Sequence, residues 1–253
     1  MRIYFDNKFY ESDYADNPAS MPGRMESIID EIQSRTSYSI ICPKPATEEE
    51  LCYVHSLEYI ESIKQNEVLY NMALLSAGGA IAAMESAMNN ETAFACIRPP
   101  GHHAYRESAW GYCYFSNMAI ALTKLRMTGR IRSAFILDFD AHTGDGTIDC
   151  LSDWKECIIL NPYTESNKDY INIIENFISG IGTVDIVAVC AGFDSYVKDA
   201  GKKLETEDFF TIGYMMKNYA RKCGHNRRFA TLEGGYYLPD LGKNVVAFCN
   251  GFG

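Results

Sequence analysis

Five histidines occur in the 253-residue chain, and three of them, His102, His103 and His142, fall in short glycine-bearing stretches that also carry carboxylates. Four such stretches recur: Arg98-Pro-Pro-Gly-His102-His103, Asp138-Phe-Asp140-Ala-His142-Thr-Gly-Asp145-Gly, Ala191-Gly-Phe-Asp194 and Leu232-Glu-Gly-Gly-Tyr236. Each follows a short apolar run. Imidazole titrates near neutrality and is also a common metal ligand. Asp138, Asp140 and Asp145 crowd the end of one run, where carboxylates repel one another unless a cation or histidines compensate them. The Gly-Asp-Gly sequence around Asp145 is equally ordinary turn chemistry. His55 and His225 lie outside these stretches and are read as structural.

Alternate residues of an extended segment share a face, so Asp140 and His142 can project toward one point. Asp194, from a neighbouring strand end, would complete a mononuclear set of two carboxylates and one imidazole. That set suits a catalytic Zn2+ or Fe2+ with open positions, because a closed structural zinc site is usually rich in thiolates. His102 and His103 then serve as proton carriers, with carboxylate partners expected to raise their pKa. The Tyr236 hydroxyl, displayed by two glycines, is a donor for a developing oxyanion.

These residues need a scaffold that brings four loops together. Short β-rich runs alternate with longer helical patterns, the signature of parallel strands joined by helical crossovers. Strands are expected at 2–5, 38–42, 92–95, 133–138, 157–160, 185–190 and 228–232. Helices are expected at 24–33, 47–65, 72–88, 117–127, 170–178 and 205–223, the second opened by a Thr47…Glu50 capping box. Ligands in open α/β sheets collect beyond the carboxyl ends of the strands, where all four stretches would fall.

Composition sets outer limits. Of the residues, 47% are hydrophobic, and 33 acidic against 23 basic side chains give a net charge of -10. The chain is expected to form one globular domain, 1–253, because no linker divides it. The acidic balance argues against a phosphate-tracking nucleic-acid binder. The apolar stretch from Met72 to Met84 is broken by Ser76 and Gly78-Gly79, so no membrane span is expected. The amino-terminal residues turn polar at once, and the nine scattered cysteines form no Cys-x-x-Cys pair. Both point to a reducing, cytoplasmic setting.

In their order along the chain, Arg98-Pro-Pro-Gly-His-His-Ala104, Gly111-Tyr-Cys-Tyr-Phe-Ser-Asn117, Asp138-x-Asp-x-His-x-Gly-Asp-Gly-Thr147, Ala191-Gly-Phe-Asp194 and Leu232-Glu-Gly-Gly-Tyr236 resemble the histone deacetylase and acetylpolyamine amidohydrolase family. Weaker similarity covers nearly the whole chain. The resemblance implies the arginase/deacetylase fold, a three-layer α/β/α domain around a mostly parallel sheet, and zinc-dependent hydrolysis of N-acyl amides such as acetylpolyamines or acetyl-lysine. By that likeness Asp140, His142 and Asp194 bind the metal, and His102 and His103 form the acid/base pair. Asp138 would support His102, and Asp145 would support His103. Tyr236 would polarise the acyl carbonyl, Tyr112 after Gly111 would line the channel, and Gly235 would precede a mobile tyrosine. The family often holds a potassium ion near the second of the metal-binding motifs.

Two departures stand out. Thr143 replaces a histidine that many members carry, and the segment between Leu160 and Asp185 is short where relatives place a glycine-rich loop. A shallow channel follows, open to larger acyl amines or completed by a neighbouring subunit in a homo-oligomer. The rival functions are a binuclear manganese ureohydrolase of the arginase type and a non-catalytic acetyl-amine binder. The ureohydrolase needs further carboxylates, but Gly144 and Tyr196 stand two positions after His142 and Asp194. A mere reader of acetyl groups would need neither a base nor an oxyanion donor.

Overall fold

The computed structural model describes residues 1–164 and 166–253. Among the described residues, seven strands form one sheet: β1 (Arg2–Tyr4), β2 (Ser39–Ile41), β3 (Ala93–Ala95), β4 (Ala134–Asp138), β5 (Cys157–Leu160), β6 (Ile186–Ala191) and β7 (Arg228–Leu232). Every pairing is parallel, and the spatial order is β2-β1-β3-β7-β6-β4-β5. The strands β3, β4, β6 and β7 are buried along their length, as a sheet covered on both faces requires.

The helices are α1 (Arg24–Arg35), α2 (Glu48–Leu51), α3 (Leu57–Lys64), α4 (Glu67–Met88), α5 (Asn117–Met127), α6 (Asp145–Cys150), α7 (Asn167–Gly180), α8 (Thr206–Cys223) and α9 (Leu238–Phe252). α4 packs on β1, β3 and β7 and against α5, while α1, α8 and α9 pack together and α8 reaches β6. The result is the three-layer α/β/α arrangement. By length and composition α4 alone is apolar enough to cross a membrane, among the described residues, but 67% of its most apolar window is buried. It serves here as a core helix. The backbone of Gly78 touches Lys44 and Pro45 so closely that any side chain would overlap them, which explains a glycine inside that helix.

Several expected elements need correction. The helix at 47–65 is two, because Ser56 caps a fresh start by accepting the amide of Tyr59 and the chain turns between Cys52 and His55. The helix expected from 72 begins at Glu67, where Asn66 caps it. α9, absent from the expected set, closes the chain with a proline in its first turn.

What matters for the site is strand order. β3, β7, β6 and β4 are consecutive neighbours, and the register pairs Asp138 with Cys190 and Cys190 with Thr231. Four loops widely separated in sequence therefore emerge side by side from the same sheet edge. Phe139, between Asp138 and Asp140, points the other way into an aromatic cluster, 5.6 Å from Phe193 and 5.3 Å from Phe248 between ring centres. Burying such a ring contributes roughly 1.5–3 kcal/mol, so the strand end carrying the aspartates is well anchored.

Candidate active site

The expected residues do converge. Ligand-type atoms of Asp140, His142 and Asp194 all lie within 4.8 Å of one another. His142 Nδ1 stands 3.1 Å from Asp140 Oδ1 and 3.0 Å from Asp194 Oδ2. Asp140 also accepts the amides of His142 (Oδ1, 3.0 Å) and Gly234 (Oδ2, 2.9 Å), and Asp194 Oδ1 accepts that of Ala141 at 3.0 Å. Asp194 Oδ2 is buried without a well-formed hydrogen bond. Gly192 and Gly234 have no room for a Cβ, because it would press on the carboxylates of Asp140 and Asp194.

Each histidine of the His102-His103 pair is held by its own carboxylate. His102 Nδ1 lies 3.1 Å from Asp138 Oδ2, and His103 Nδ1 lies 2.7 Å from Asp145 Oδ1. The two rings are 4.0 Å apart. Their electrostatics diverge. Burial opposes a charge on His102, yet Asp140 and Asp138 override it and hold this imidazole well above its usual range. Burial and the neighbouring His102 push His103 down to about 4, against the pull of Asp145. The sequence expectation that both would rise thus fails for His103, where desolvation wins.

Tyr236 lies across the cavity with its phenol pushed well above its normal pKa by burial, so it keeps its proton. Its ring meets Tyr112 edge-on at 6.0 Å and lies 5.3 Å from the Arg24 guanidinium. Arg24, fully buried, donates to the carbonyls of Gly235 and Glu233 at 2.9 and 2.5 Å and so fixes the turn before the tyrosine. Gly235 has a φ of 122° and Gly111 one of 57°, both in the region glycine favours. Pro100, His102, His103, Trp110, Gly111, Tyr112, Asp140, His142, Ala200, Gly234 and Tyr236 line a cavity of about 410 Å³.

A second cluster of ligand-type atoms, His102, Cys113 and Glu233, is wholly buried. Its groups are already engaged. Glu233 Oε2 accepts the amides of Gly101 and His102 at 2.8 and 3.1 Å, Oε1 takes the Thr231 hydroxyl, and Cys113 Sγ accepts from the His103 amide. This is a satisfied network that shapes the histidine loop, with Glu233 at its centre, a part that no local sequence pattern gives away. Asp199, whose Oδ2 accepts the amides of Tyr236 and Tyr237, and Arg24 are likewise invisible in the sequence, since both act on backbone atoms remote along the chain and leave no local pattern.

The chemistry of the main set suits a divalent cation. Asp138, Asp140, Asp194 and Glu233 are all buried within one small region, and burial together with Asp140 pushes the Asp194 carboxyl up. Carboxylate oxygens of Asp140 and Asp194 and one imidazole nitrogen of His142, brought within 4.8 Å of one another, match the donors of an open catalytic zinc or ferrous site.

Fold and site together define a protein of the arginase/deacetylase class. Residues 18–170 match the histone deacetylase domain family, and the chain belongs to that family. A probable deacetylase of Methanothermobacter thermautotrophicus is 26% identical over 90% of this chain and 84% of its own length. One from Archaeoglobus fulgidus is 29% identical over 83% of this chain and 74% of its own. The polyamine deacetylase HDAC10 of Danio rerio is 25% identical over 80% of this chain but only 39% of that larger protein. Among solved structures, the HDA15 HD domain superposes with a TM-score of 0.87 at 21% identity, covering 98% of this chain and 88% of that one.

Proposed function

We propose that the chain, acting as one catalytic domain over residues 1–253, hydrolyses N-acyl amides of small amines in a metal-dependent reaction, with acetylpolyamines and acetyl-lysine as the substrate class. The observation that carries this reading is the meeting of Asp140, His142 and Asp194 with two His–Asp pairs and a protonated tyrosine around one cavity. Asp140, His142 and Asp194 would hold the ion, zinc first and ferrous iron second. When bound it supplies Lewis acidity to the acyl carbonyl and lowers the pKa of water to about 7.

The chain's own groups do the rest. Asp145 holds His103 by Nδ1, which leaves Nε2 as the free basic nitrogen to take the proton of the attacking water. Asp138 orients His102 in the same way, and the protonated member of the pair returns a proton to the leaving amine. Tyr236 donates a hydrogen bond to the oxyanion that develops on the acyl carbonyl oxygen. Tyr112, half exposed at the rim, packs along the substrate's methylene chain. The net charge of -10 favours cationic amines by long-range attraction and supports a small-molecule substrate over nucleic acid, in a cytoplasmic setting.

Among the described residues, none of those lining the cavity comes from the short segment between β5 and β6, which supports acceptance of larger acyl amines or completion by a second copy of the chain. The ureohydrolase reading loses ground in the geometry. Gly144 offers no ligand, and the Tyr196 hydroxyl is engaged with Asp240 at 3.1 Å. Turnover of a panel of acetylated polyamines, acetyl-lysine peptides and longer acyl amides, with one defined metal at a time, tests the proposal. A metal-loaded protein inert toward all of them would refute it.

A further inference from the structure

We propose that Trp110 is a positioning residue for the His103–Asp145 pair: its indole face covers the imidazole while its N–H ties down the carboxylate. The inference rests on the roles given above to those two residues.

The chain is built to put the indole there. Ala104 and Ala109 pair across an antiparallel bridge, so the segment after His103 doubles back on it. The amide of Trp110 reaches the His103 carbonyl at 3.4 Å, and the Trp110 carbonyl accepts from Cys113 at 3.0 Å. Gly111 and Tyr112 then take φ values of 57° and 67°, a reversal that leaves indole and phenol at the same cavity. Gly111 lies so close to the His103 ring that a Cβ would overlap it. The Trp110 and His103 ring centres are 3.9 Å apart at 33°, and the indole Nε1 lies 3.3 and 3.2 Å from the two oxygens of Asp145.

Burial shows which partner benefits. Trp110 is 51% exposed, whereas His103 is only 3% exposed. An indole with half its surface in water gains little from core packing. What it supplies is a lid over the imidazole and a fixed donor for the carboxylate. Asp145, part-exposed, receives hydrogen bonds from His103 Nδ1, the Gly146 amide and Trp110. Without the indole the carboxylate keeps His103 and the Gly146 amide on Oδ1 but loses the N–H that meets Oδ2, and small misplacements of a proton carrier cost rate steeply.

Trp110→Phe keeps a ring against His103 and removes the donor, whereas Trp110→Ala removes both. The full-length, metal-loaded variants are assayed for kcat and KM separately on an acetylated amine that the wild type turns over. In parallel, diethyl pyrocarbonate labelling with peptide mass mapping reads the accessibility of each histidine and needs no activity. Trp110→Phe should lower kcat about tenfold with KM changed less than about threefold. Trp110→Ala should lower kcat further and raise His103 labelling several-fold, with buried His55 still protected, which shows the fold intact. Normal kcat in Trp110→Phe, a change confined to KM, or unaltered His103 labelling in Trp110→Ala would overturn the inference. If the wild type turns over no acyl amine, the deacetylase reading fails and the labelling alone decides whether Trp110 covers His103.

Discussion

The Asp199 carboxylate holds the backbone of Tyr236: its Oδ2 accepts the amide of that tyrosine at 2.6 Å and the amide of Tyr237 at 2.7 Å. Arg24 grips the carbonyls just before this point, so the turn is fixed from both sides while the phenol itself is left free to reach into the cavity. A hydrogen bond to a charged group is worth about 1.5–3 kcal/mol, which is enough to keep the oxyanion donor in register. Asp199→Asn halves that anchor without changing its shape. We expect kcat to fall about tenfold with KM nearly unchanged, since a donor used chiefly in the transition state is displaced. Steady-state kinetics on an acetylated amine checks this, and a loss confined to KM would count against it.

Tyr236→Phe and His103→Ala remove the reacting groups themselves. One oxyanion donor is worth about 10²–10³ in kcat and a positioned acid/base about 10²–10⁴. Each variant should lose activity by a factor in its range while still binding metal, as measured by metal analysis of the purified proteins. Near-normal turnover in both would refute the assigned roles.

Much of this site is legible in the amino-acid sequence because its chemistry is local. Asp140 and His142 sit two apart at one strand end, and His102 and His103 are adjacent, so residue type and spacing identify them. The strands are equally legible, since continuous apolar runs such as 134–138 and 186–191 have no polar alternative. What the sequence hides is whatever depends on partners distant along the chain. Asp199 and Tyr236 are 37 positions apart and joined through a backbone amide that any residue could supply. The pKa of His103 is hidden for the same reason, because burial sets it. α9 escapes notice because its glycines, Gly242 and Gly251, interrupt the apolar pattern. They are there for close approach to α1 and α8, a reason only packing reveals.

Gly192→Ala tests how tightly the metal-holding carboxylates are set. The backbone at Gly192 is ordinary, so the substitution introduces no conformational strain, yet a Cβ there would overlap the Asp140 carboxylate. Wild-type protein should hold one Zn2+ per chain. Ion at about 100 times its Kd stabilises the fold by about 2.7 kcal/mol, a Tm rise of roughly 5–10 °C for a chain of this size. Gly192→Ala should lose most of that rise and of the bound metal. Thermal melts with and without Zn2+, paired with metal analysis, read both, and an undiminished Tm rise in the variant would contradict the arrangement.

His55 illustrates the structural histidine that the sequence leads one to expect, and it sets a pH limit on the fold. Its Nε2 accepts the Ser116 amide at 2.9 Å, its Nδ1 faces the Arg106 carbonyl at 3.3 Å, and its ring packs on Tyr59 and Phe115. That pattern needs the neutral tautomer, and burial pushes the pKa from 6.5 down to about 4. The proton therefore binds the unfolded chain first. His55's contribution is complete above pH 6.5 and falls away as the pH drops from there toward 4, by about 3 kcal/mol in all. His55→Gln retains an acceptor for Ser116 but does not titrate. The stability difference between wild type and this variant, from urea unfolding, should be largest near pH 8 and shrink steadily toward pH 4. A difference that stays constant across that range would mean that His55 is not held neutral by its burial.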